Sequence, residues 1–324
     1  MQNPSKSLQA LLNKIIDYAG VFPPTKLPLE KAFEIYNSFY PGEYDWMLSN
    51  FIIPANKLDG ITILLKDNYQ NDKVYPFSIL GSSGATEEEF LVNLKSDLQS
   101  WKQFLESNTG RVETKAFEVK LPIELIARQN SEETAMFIES VSDDISQNIE
   151  GEISLFFEGV LDEEWKTNIK VLAEGIQQHN DNYPNSGLKL RTGGIEKSAF
   201  PSPEQVAYTI RTCLDHQIPM KCTAGLHHPV RHFRDEVNTK MHGFLNIFCA
   251  GAIAIRHNIS EHEMIKLIEE EDPSSFKFTD EKFTWDNYEI PIDDIEYSRK
   301  SLLISYGSCS FDEPLEDLQN LNLL

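Results

Sequence analysis

Short apolar runs alternate along the chain with longer segments that have the periodicity of amphipathic helices. In the short runs, apolar and polar residues often alternate with a period of two, which is typical of β-strands. Strands are predicted over residues 46–55, 74–80, 114–121, 152–160, 187–194 and 218–225. Helices are predicted over residues 86–107, 131–146, 162–180, 202–217, 229–258 and 260–272, and the apolar run 60–65 fits either structure.

Strands that alternate with helices are typical of parallel βαβ units, which build either a barrel or an open doubly wound sheet. No GxGxxG dinucleotide fingerprint follows the first strand, so we favour an α/β fold of the (β/α) TIM-barrel type, complete or incomplete. The pattern changes in the last third of the chain. Residues 276–285 predict a β-hairpin that turns at Asp280 and Glu281, and residues 292–305 predict a helix.

These patterns divide one large domain into three parts. Residues 1–45 are predicted to form a helical segment that packs on the barrel, residues 46–272 the barrel core, and residues 273–324 a C-terminal appendage of hairpin and helices. The length of 324 residues, 40% of them hydrophobic, is sufficient for a large core.

The net charge, the hydropathy and the cysteines indicate which partners and which cellular location to expect. With 51 acidic against 29 basic residues the net charge is −22, which repels nucleic acid and anionic lipid. No apolar run reaches the roughly 18 residues of a membrane span, no secretory signal is recognisable, and the four cysteines form no CxxC pair. We therefore expect a cytoplasmic protein with a small-molecule partner, and no sequence motif predicts a cofactor.

Four predicted strands each carry one apolar and one charged face, and helices normally cover the apolar outer face of a barrel. Their charged faces are therefore predicted to converge inside the barrel, with positive charge in excess. The residues are Glu118 and Lys120, then Glu158, then Lys189 and Arg191, then Lys221 and Thr223. Since barrel active sites lie at the C-terminal strand ends, this pattern predicts a pocket for a small anionic molecule. The alternative is an ion-pair network with a purely structural role.

The segment "RTGG" predicts the contact with the anion. Arg191 provides a planar fork, and Thr192, Gly193 and Gly194 follow it with backbone N–H groups. The helix predicted to start with Ser202 as N-cap and Pro203 at its first position adds its dipole. Alternatively, Arg191 pairs with Glu158 and holds two strands together.

Lys221 is the leading candidate for a reactive group. A lysine buried beside other cations has a lowered pKa and can act as a nucleophile or a base. In this hypothesis Lys189 and Arg191 hold the anion, Glu158 carries protons, and His227 or His228 assists. A role of Lys221 in ligand binding alone stays open.

The segments "LKLRTGG" and "MKCTAG" locally resemble the lysine-bearing strands of class I aldolases such as deoxyribose-phosphate aldolase. This resemblance implies a lyase that acts on a carbonyl compound through a lysine.

Two other functions stay open. His228 and His232 would share a helix face if a helix began at Pro229, which would allow a metal-dependent hydrolase with Glu158. However, the chain has no HExxH motif, and we expect no structural zinc. The second is a non-catalytic metabolite-binding protein with the same pocket.

Two further segments carry polar residues of uncertain role. In "DYAGVFPP", Asp17 either belongs to a turn that plugs the barrel bottom or reaches the pocket. In "GSCSFDEP", Asp312 fits a helix cap, and Cys309 would be a nucleophile only beside a base. Together with "KLRTGG" and "KCTAGLHHPVR", these segments resemble those of an uncharacterised bacterial protein family. That resemblance implies no particular activity.

Overall fold

The computed structural model describes residues 4–67, 69 and 73–324, and the whole forms an α/β fold around a closed barrel of parallel strands. The strands are β1 (Ile16–Tyr18), β2 (Leu48–Pro54), β3 (Tyr75–Leu80), β4 (Val112–Lys120), β5 (Ser154–Glu158), β6 (Ser186–Arg191), β7 (Met220–Thr223), β8 (His232–Arg234), β9 (Thr239–Met241), β10 (Lys277–Phe278), β11 (Lys282–Trp285), β12 (Tyr288–Pro291) and β13 (Leu303–Ser308). Eight of these, β1–β7 and β13, close the barrel in the order β1-β13-β7-β6-β5-β4-β3-β2.

Helices surround the barrel. They are α1 (Lys6–Leu12), α2 (Leu29–Phe39), α3 (Leu58–Asp67), α4 (Glu87–Ser107), α5 (Ile123–Ala127), α6 (Ser131–Asn148), α7 (Trp165–Asn180), α8 (Pro203–Asp215), α9 (Phe244–His257), α10 (Glu261–Ile268), α11 (Ile292–Ser301) and α12 (Asp312–Asn320). Of the helices in these ranges, none combines the length and the apolar character that crossing a bilayer requires.

The predicted barrel is confirmed, as are its middle strands and the helices between them. Sequence signals within a few residues of the helix starts explain why the helices were predictable. Ser202 and Ser260 each form a capping box at the start of α8 and α10, and Pro203 takes the first position of α8. The hairpin is also confirmed, because β10 pairs with β11 in antiparallel fashion around the turn at Asp280 and Glu281.

The barrel boundaries differ from the prediction. The first strand, β1, lies within residues 1–45, and the last, β13, lies within residues 273–324. Ile16 pairs with Leu48 on one side and with Tyr306 on the other, so the chain termini close the barrel. The sequence pattern does not indicate these two strands, because neither has a continuous run of apolar residues. The strand β1 has only three residues with Asp17 in the middle, and β13 contains Ser305, Gly307 and Ser308.

Two predicted helices are also shorter than expected. The region 229–258 is helical only from Phe244, since β8 and β9 form an antiparallel pair around a left-handed Asn238 at φ 48°. The helix predicted over 292–305 ends at Ser301, and its last predicted residues belong to β13. The ambiguous run 60–65 lies within helix α3.

The apolar faces of the strands pack outward on the helices, as predicted. Phe117 of β4 stacks on Trp101 of α4 with ring centroids 5.6 Å apart, and Leu188 and Leu190 of β6 are fully buried. This packing supplies the main apolar core and leaves the inward faces of the same strands to their charged residues.

Candidate active site

A cavity of about 940 Å³ opens at the C-terminal ends of the barrel strands. Its wall includes the last or nearly last residues of several strands, among them Tyr18, Leu80, Glu158, Arg191 and Thr223. This is the end of a parallel barrel at which active sites lie.

A row of alternating charges crosses the barrel interior below this cavity. Nζ of Lys221 lies 2.8 Å from Oδ2 of Asp17 and 2.5 Å from Oε1 of Glu118. Nζ of Lys189 lies 3.1 Å from Oε2 of Glu118 and 3.3 Å from Oε2 of Glu158. We call these five residues the charge row, which runs Asp17–Lys221–Glu118–Lys189–Glu158 and joins five barrel strands.

Hydrogen bonds hold two of the carboxylates of the row in place. Oδ1 of Asp17 accepts from the backbone N–H of Asn50 at 3.0 Å and from its side-chain amide at 2.8 Å, and Oδ2 accepts from the Ser305 hydroxyl at 2.5 Å. The Ser78 hydroxyl donates to Oε1 of Glu118 at 2.6 Å. These donors fix the positions of both carboxylates, and the Ser78 hydroxyl also favours the ionised form of Glu118.

The surroundings lower the pKa of Glu118 and raise the pKa of Lys221. Burial alone would raise the pKa of Glu118, but the charges of Lys221 and Lys189 outweigh it and bring this pKa to about 2. Burial alone would lower the pKa of Lys221, but Asp17 and Glu118 outweigh it and raise this pKa above its ordinary value. The predicted lowering of the Lys221 pKa is therefore wrong, because Asp17 and Glu118 stabilise the charged form of this fully buried lysine.

The two lysines of the row differ in their access to the cavity. Lys189, Glu118 and Glu158 line the cavity, whereas Lys221 and Asp17 lie beneath it and do not contribute to the described wall. Lys221 is 1% exposed, and the ring centroid of Phe156 lies 5.4 Å from its Nζ. The cavity therefore meets the charge row at the end formed by Lys189 and Glu158.

Arg191 lies two residues beyond Lys189 on β6 and also lines the cavity. Its Nε donates to the carbonyl of Gly193 at 3.0 Å. Within residues 4–67, 69 and 73–324 its guanidinium forms no ion pair, so the alternative in which Arg191 pairs with Glu158 is wrong. Lys189 pairs with Glu158 instead.

Of the three residues after Arg191, only Gly194 lines the cavity. The backbone N–H of Thr192 donates to the carbonyl of Thr223 at 2.8 Å, and its hydroxyl donates to the carbonyl of Ala224 at 2.5 Å. Gly193 packs against Gly225, since a Cβ on Gly193 would lie 2.7 Å from the Gly225 Cα. Thr192 and Gly193 thus join the segments after β6 and β7 and do not line the cavity.

Two other expected contributors lie away from the cavity. Lys120 is exposed at the end of β4 and lines a separate depression with Ser83 and Ile123. No residue of the α8 N-terminus lines the cavity. With Lys120 outside and Asp17 inside, the three cations Lys189, Arg191 and Lys221 are equal in number to the carboxylates of the charge row, so the predicted positive excess is absent.

The histidines connect the segment after β7 with α12. Nδ1 of His227, which lines the cavity, lies 3.0 Å from Oε2 of Glu313. His228 contacts Asp317 through Nδ1 and accepts from Nη1 of Arg234 through Nε2 at 2.9 Å. Because arginine only donates, Nε2 of His228 is the acceptor in this contact.

The arrangement required for a metal-dependent hydrolase does not form. His228 and His232 lie on no common helix, although their ring centroids are 4.2 Å apart. Glu158 is paired with Lys189. In the ranges that the structure covers, no group of three or more histidine, cysteine, aspartate or glutamate residues could hold a metal ion.

The segment "DYAGVFPP" lies at the cavity and not at the barrel bottom. Asp17 is fully buried in β1, and Phe22, Pro23 and Pro24 line the cavity above it. The Thr25 hydroxyl donates to Sγ of Cys309 at 2.9 Å, and burial raises the pKa of the Cys309 thiol. Cys309 is therefore a poor nucleophile, since the thiolate is the reactive form.

Sequence patterns did not identify several residues of the site. Asn50, Ser78 and Ser305 hold the carboxylates of the charge row, but single polar residues in strands are common and carry no specific signal. Arg234 and Glu313 reach the cavity from β8 and α12, which lie far apart in the sequence. Only the folded barrel brings these residues together.

Comparison with known proteins returned no similar sequence: no family model matches the chain, and no curated protein matches it significantly.

Proposed function

We propose that this protein is an enzyme that acts on a small anionic carbonyl compound, and that Lys189, rather than Lys221, forms a covalent imine with the carbonyl carbon. One observation carries the proposal. Nζ of Lys189 lies at the cavity, 3.3 Å from Oε2 of Glu158, which lines the same cavity. An amine and a proton acceptor thus face the same space, as nucleophilic catalysis by lysine requires.

The reaction begins with the proton of Lys189. Lysine attacks a carbonyl carbon only as the neutral amine, and Glu158 is the carboxylate that takes its proton. Lys221 shares Glu118 with Lys189, so the two ammonium groups divide the charge of one carboxylate.

The neutral amine then adds to the carbonyl carbon, and a proton moves from nitrogen to oxygen to give a carbinolamine. Glu158 returns its proton to the carbinolamine hydroxyl, which leaves as water, and a protonated imine remains. When a C–H bond at the adjacent carbon breaks, Glu158, again a carboxylate, takes the proton and the electron pair moves to the imine nitrogen, which gives an enamine. When a C–C bond to a carbinol carbon breaks, Glu158 takes the hydroxyl proton, the fragment leaves as an aldehyde, and the same enamine remains. Arg191 holds the carboxylate or phosphate of the substrate through its planar fork.

Borohydride trapping tests this proposal directly. The protein is incubated with a panel of small 2-oxo acids and phosphorylated aldehydes, reduced with borohydride, and examined by intact mass and peptide mapping. We expect one adduct, on Lys189, with at least one member of the panel. Lys189→Arg should abolish it, and the matched surface variant Lys120→Arg should retain it.

Two outcomes would overturn the proposal. An adduct on Lys221 would restore the deeper lysine as the nucleophile. No adduct with any compound, although some of them still stabilise the protein against heat, would favour a non-catalytic metabolite-binding protein.

A further inference from the structure

The cavity wall has two chemically different halves. Its charged side chains, within the described chain, come from β4–β6 and from the segments that follow β7 and β13. The other half comes from β2, β3, α2 and the segment after β1, and it is apolar. Its side chains include Phe22, Leu27, Ile35, Ile52 and Leu80. We call these five residues the apolar wall.

The barrel order sets the apolar wall opposite the anion-binding residues. Around the closed barrel, β2 lies four strands from β6 in either direction, so it is diametrically opposite the strand that carries Lys189 and Arg191. Ile52 ends near the top of β2, and Leu80 ends the neighbouring β3. A ligand whose polar end meets Lys189 therefore directs its other end toward Ile52 and Leu80.

The size of the cavity indicates that this other end is substantial. Its volume of about 940 Å³ lies at the upper end of the roughly 300–1,000 Å³ range of pockets for drug-sized ligands. A three-carbon oxo acid would fill the charged end and leave the apolar wall in contact with water. Burying an apolar group there removes that surface from water, which is favourable.

From these observations we infer that the ligand is an amphipathic anion, with a carboxylate or similar head at Lys189 and Arg191 and an unbranched or ring-containing hydrocarbon tail on the apolar wall. The inference deepens the proposed function by naming a substrate class, and it rests on that function only for the carbonyl group. The binding of the tail does not depend on imine formation.

A chain-length series of straight-chain carboxylates, from propionate to decanoate, tests the tail without the chemistry, because these compounds have no ketone to trap. We expect affinity measured by calorimetry to rise about threefold to fourfold for each methylene that contacts the wall, which corresponds to ~0.8 kcal/mol per buried CH₂. Primary alcohols of equal length should bind more weakly, since they lack the anionic head.

Two variants locate the tail. Leu80→Asn and Phe22→Ser place polar groups in the apolar wall, and each should reduce the gain in affinity per methylene. Phe22 is half-buried in a loop, so this variant should fold even if Leu80→Asn does not. Ile63→Asn, at a position 60% exposed on α3, is the matched control.

Each result decides a separate question. Affinity that does not change with chain length, or a chain-length gain that persists in both variants, would overturn the inference. Binding of long carboxylates without any borohydride adduct of oxo acids would keep the amphipathic ligand and reject Lys189 as a nucleophile. Trapping of short oxo acids without a chain-length gain would do the reverse.

Discussion

At the scale of residues, the main feature is a row of charges in the barrel interior, three carboxylates and two ammonium groups, in which each charge lies beside an opposite one. Removing two opposite charges from water is costly, and their attraction offsets this cost only with good geometry and further hydrogen bonds. Here Asn50, Ser78 and Ser305 supply those bonds. Each lysine pairs with two carboxylates, so the loss of Lys221 leaves Asp17 without a cation, and the loss of Lys189 leaves Glu158 without one.

Lys221→Met tests this dependence. It leaves Asp17 and Glu118 buried without their shared cation, and we expect it to lower the free energy of unfolding by about 3–5 kcal/mol. Urea denaturation measures the change. Lys120→Met is the control, because Lys120 is exposed and its replacement should alter stability by less than about 0.5 kcal/mol. A loss below about 1 kcal/mol for Lys221→Met would show that the row is not essential to the fold.

Arg191→Ala should separate binding from stability. Because Arg191 forms no ion pair in the described chain, the unliganded melting temperature should be nearly unchanged. Carboxylate binding should weaken by about 1.5–3 kcal/mol, the range for a hydrogen bond to a charged group. Arg191→Lys should recover only part of this loss, since lysine lacks the fork. Calorimetry with octanoate measures the binding, and unchanged octanoate affinity in Arg191→Ala would place the anion elsewhere.

The lowered pKa of Glu118 predicts a loss of stability in acid. A carboxyl group has an ordinary pKa near 4.3, and that of folded Glu118 is about 2, so between these values the unfolded state binds a proton that the folded state lacks. The stability due to this group is complete above about pH 4.3 and is lost as the pH falls toward 2. The difference in unfolding free energy between the wild type and Glu118→Gln should shrink over this interval. A difference that stays constant from pH 5 to pH 2 would contradict the assignment.

At the scale of elements, the segment between β7 and α9 replaces a predicted helix with a turn and a strand pair. His242 anchors this segment: its Nε2 lies 2.7 Å from the carbonyl of Pro201, and its Nδ1 lies 3.2 Å from Nη1 of Arg231. Arginine only donates, so Nδ1 accepts and the ring is neutral with its proton on Nε2. Burial, together with the Arg231 charge, lowers the pKa of His242 to about 4.

The lowered pKa of His242 predicts a second loss of stability, at higher pH than the loss due to Glu118. Between about pH 6.5 and pH 4 the unfolded state protonates His242 and the folded state does not, so stability should fall as the pH falls through this interval. His242→Gln, which keeps a donor for Pro201, should flatten this part of the profile. His262→Gln, at an exposed position, should leave it unchanged. Urea denaturation across the interval tests this, and equal slopes in wild type and His242→Gln would refute it.

The accuracy of the sequence predictions also differs by element. Helices such as α8 and α10 begin at capping boxes that lie within a few residues, so their starts were predictable. The strands β1 and β13 have no such local signal. Their stability comes from neighbouring strands, since Ile16 and Tyr306 pair only in the closed barrel.

At the scale of the whole molecule, the two ends of the chain complete both the barrel and the site. The strand β1 joins β2 to β13, and it carries Asp17 to Lys221. The fold is therefore a single unit in which neither end of the chain is an appendage.

Deletion of residues 1–19 tests this directly. The shortened chain lacks β1, which would expose the edges of β2 and β13 and leave Lys221 without one of its carboxylates. We expect it to lose its cooperative urea transition, followed by circular dichroism. Addition of a peptide of residues 1–27 should restore the transition. A shortened chain that unfolds cooperatively at the wild-type midpoint would show that the barrel does not need β1.

The sequence by itself determined the class of fold, most of the elements between residues 46 and 272, and four of the strands that carry inward charges, β4–β7, but not β1 with Asp17. These features follow from periodicity and capping, which act over a few neighbouring residues. It also identified Glu118, Glu158, Lys189, Arg191 and Lys221 as one group, because the alternation of side chains along a strand fixes their common face.

Only the tertiary structure decided the pKa of each of these residues and its position relative to the cavity. Asp17 is 204 positions from Lys221 in the sequence, yet its carboxylate raises the pKa of that lysine and keeps its proton in place. Lys120 follows the same alternation as Glu118 but lies beyond the cavity, at the exposed end of β4. A pKa and a position in a cavity depend on every charge and wall within a few ångströms, and barrel closure alone brings those groups together.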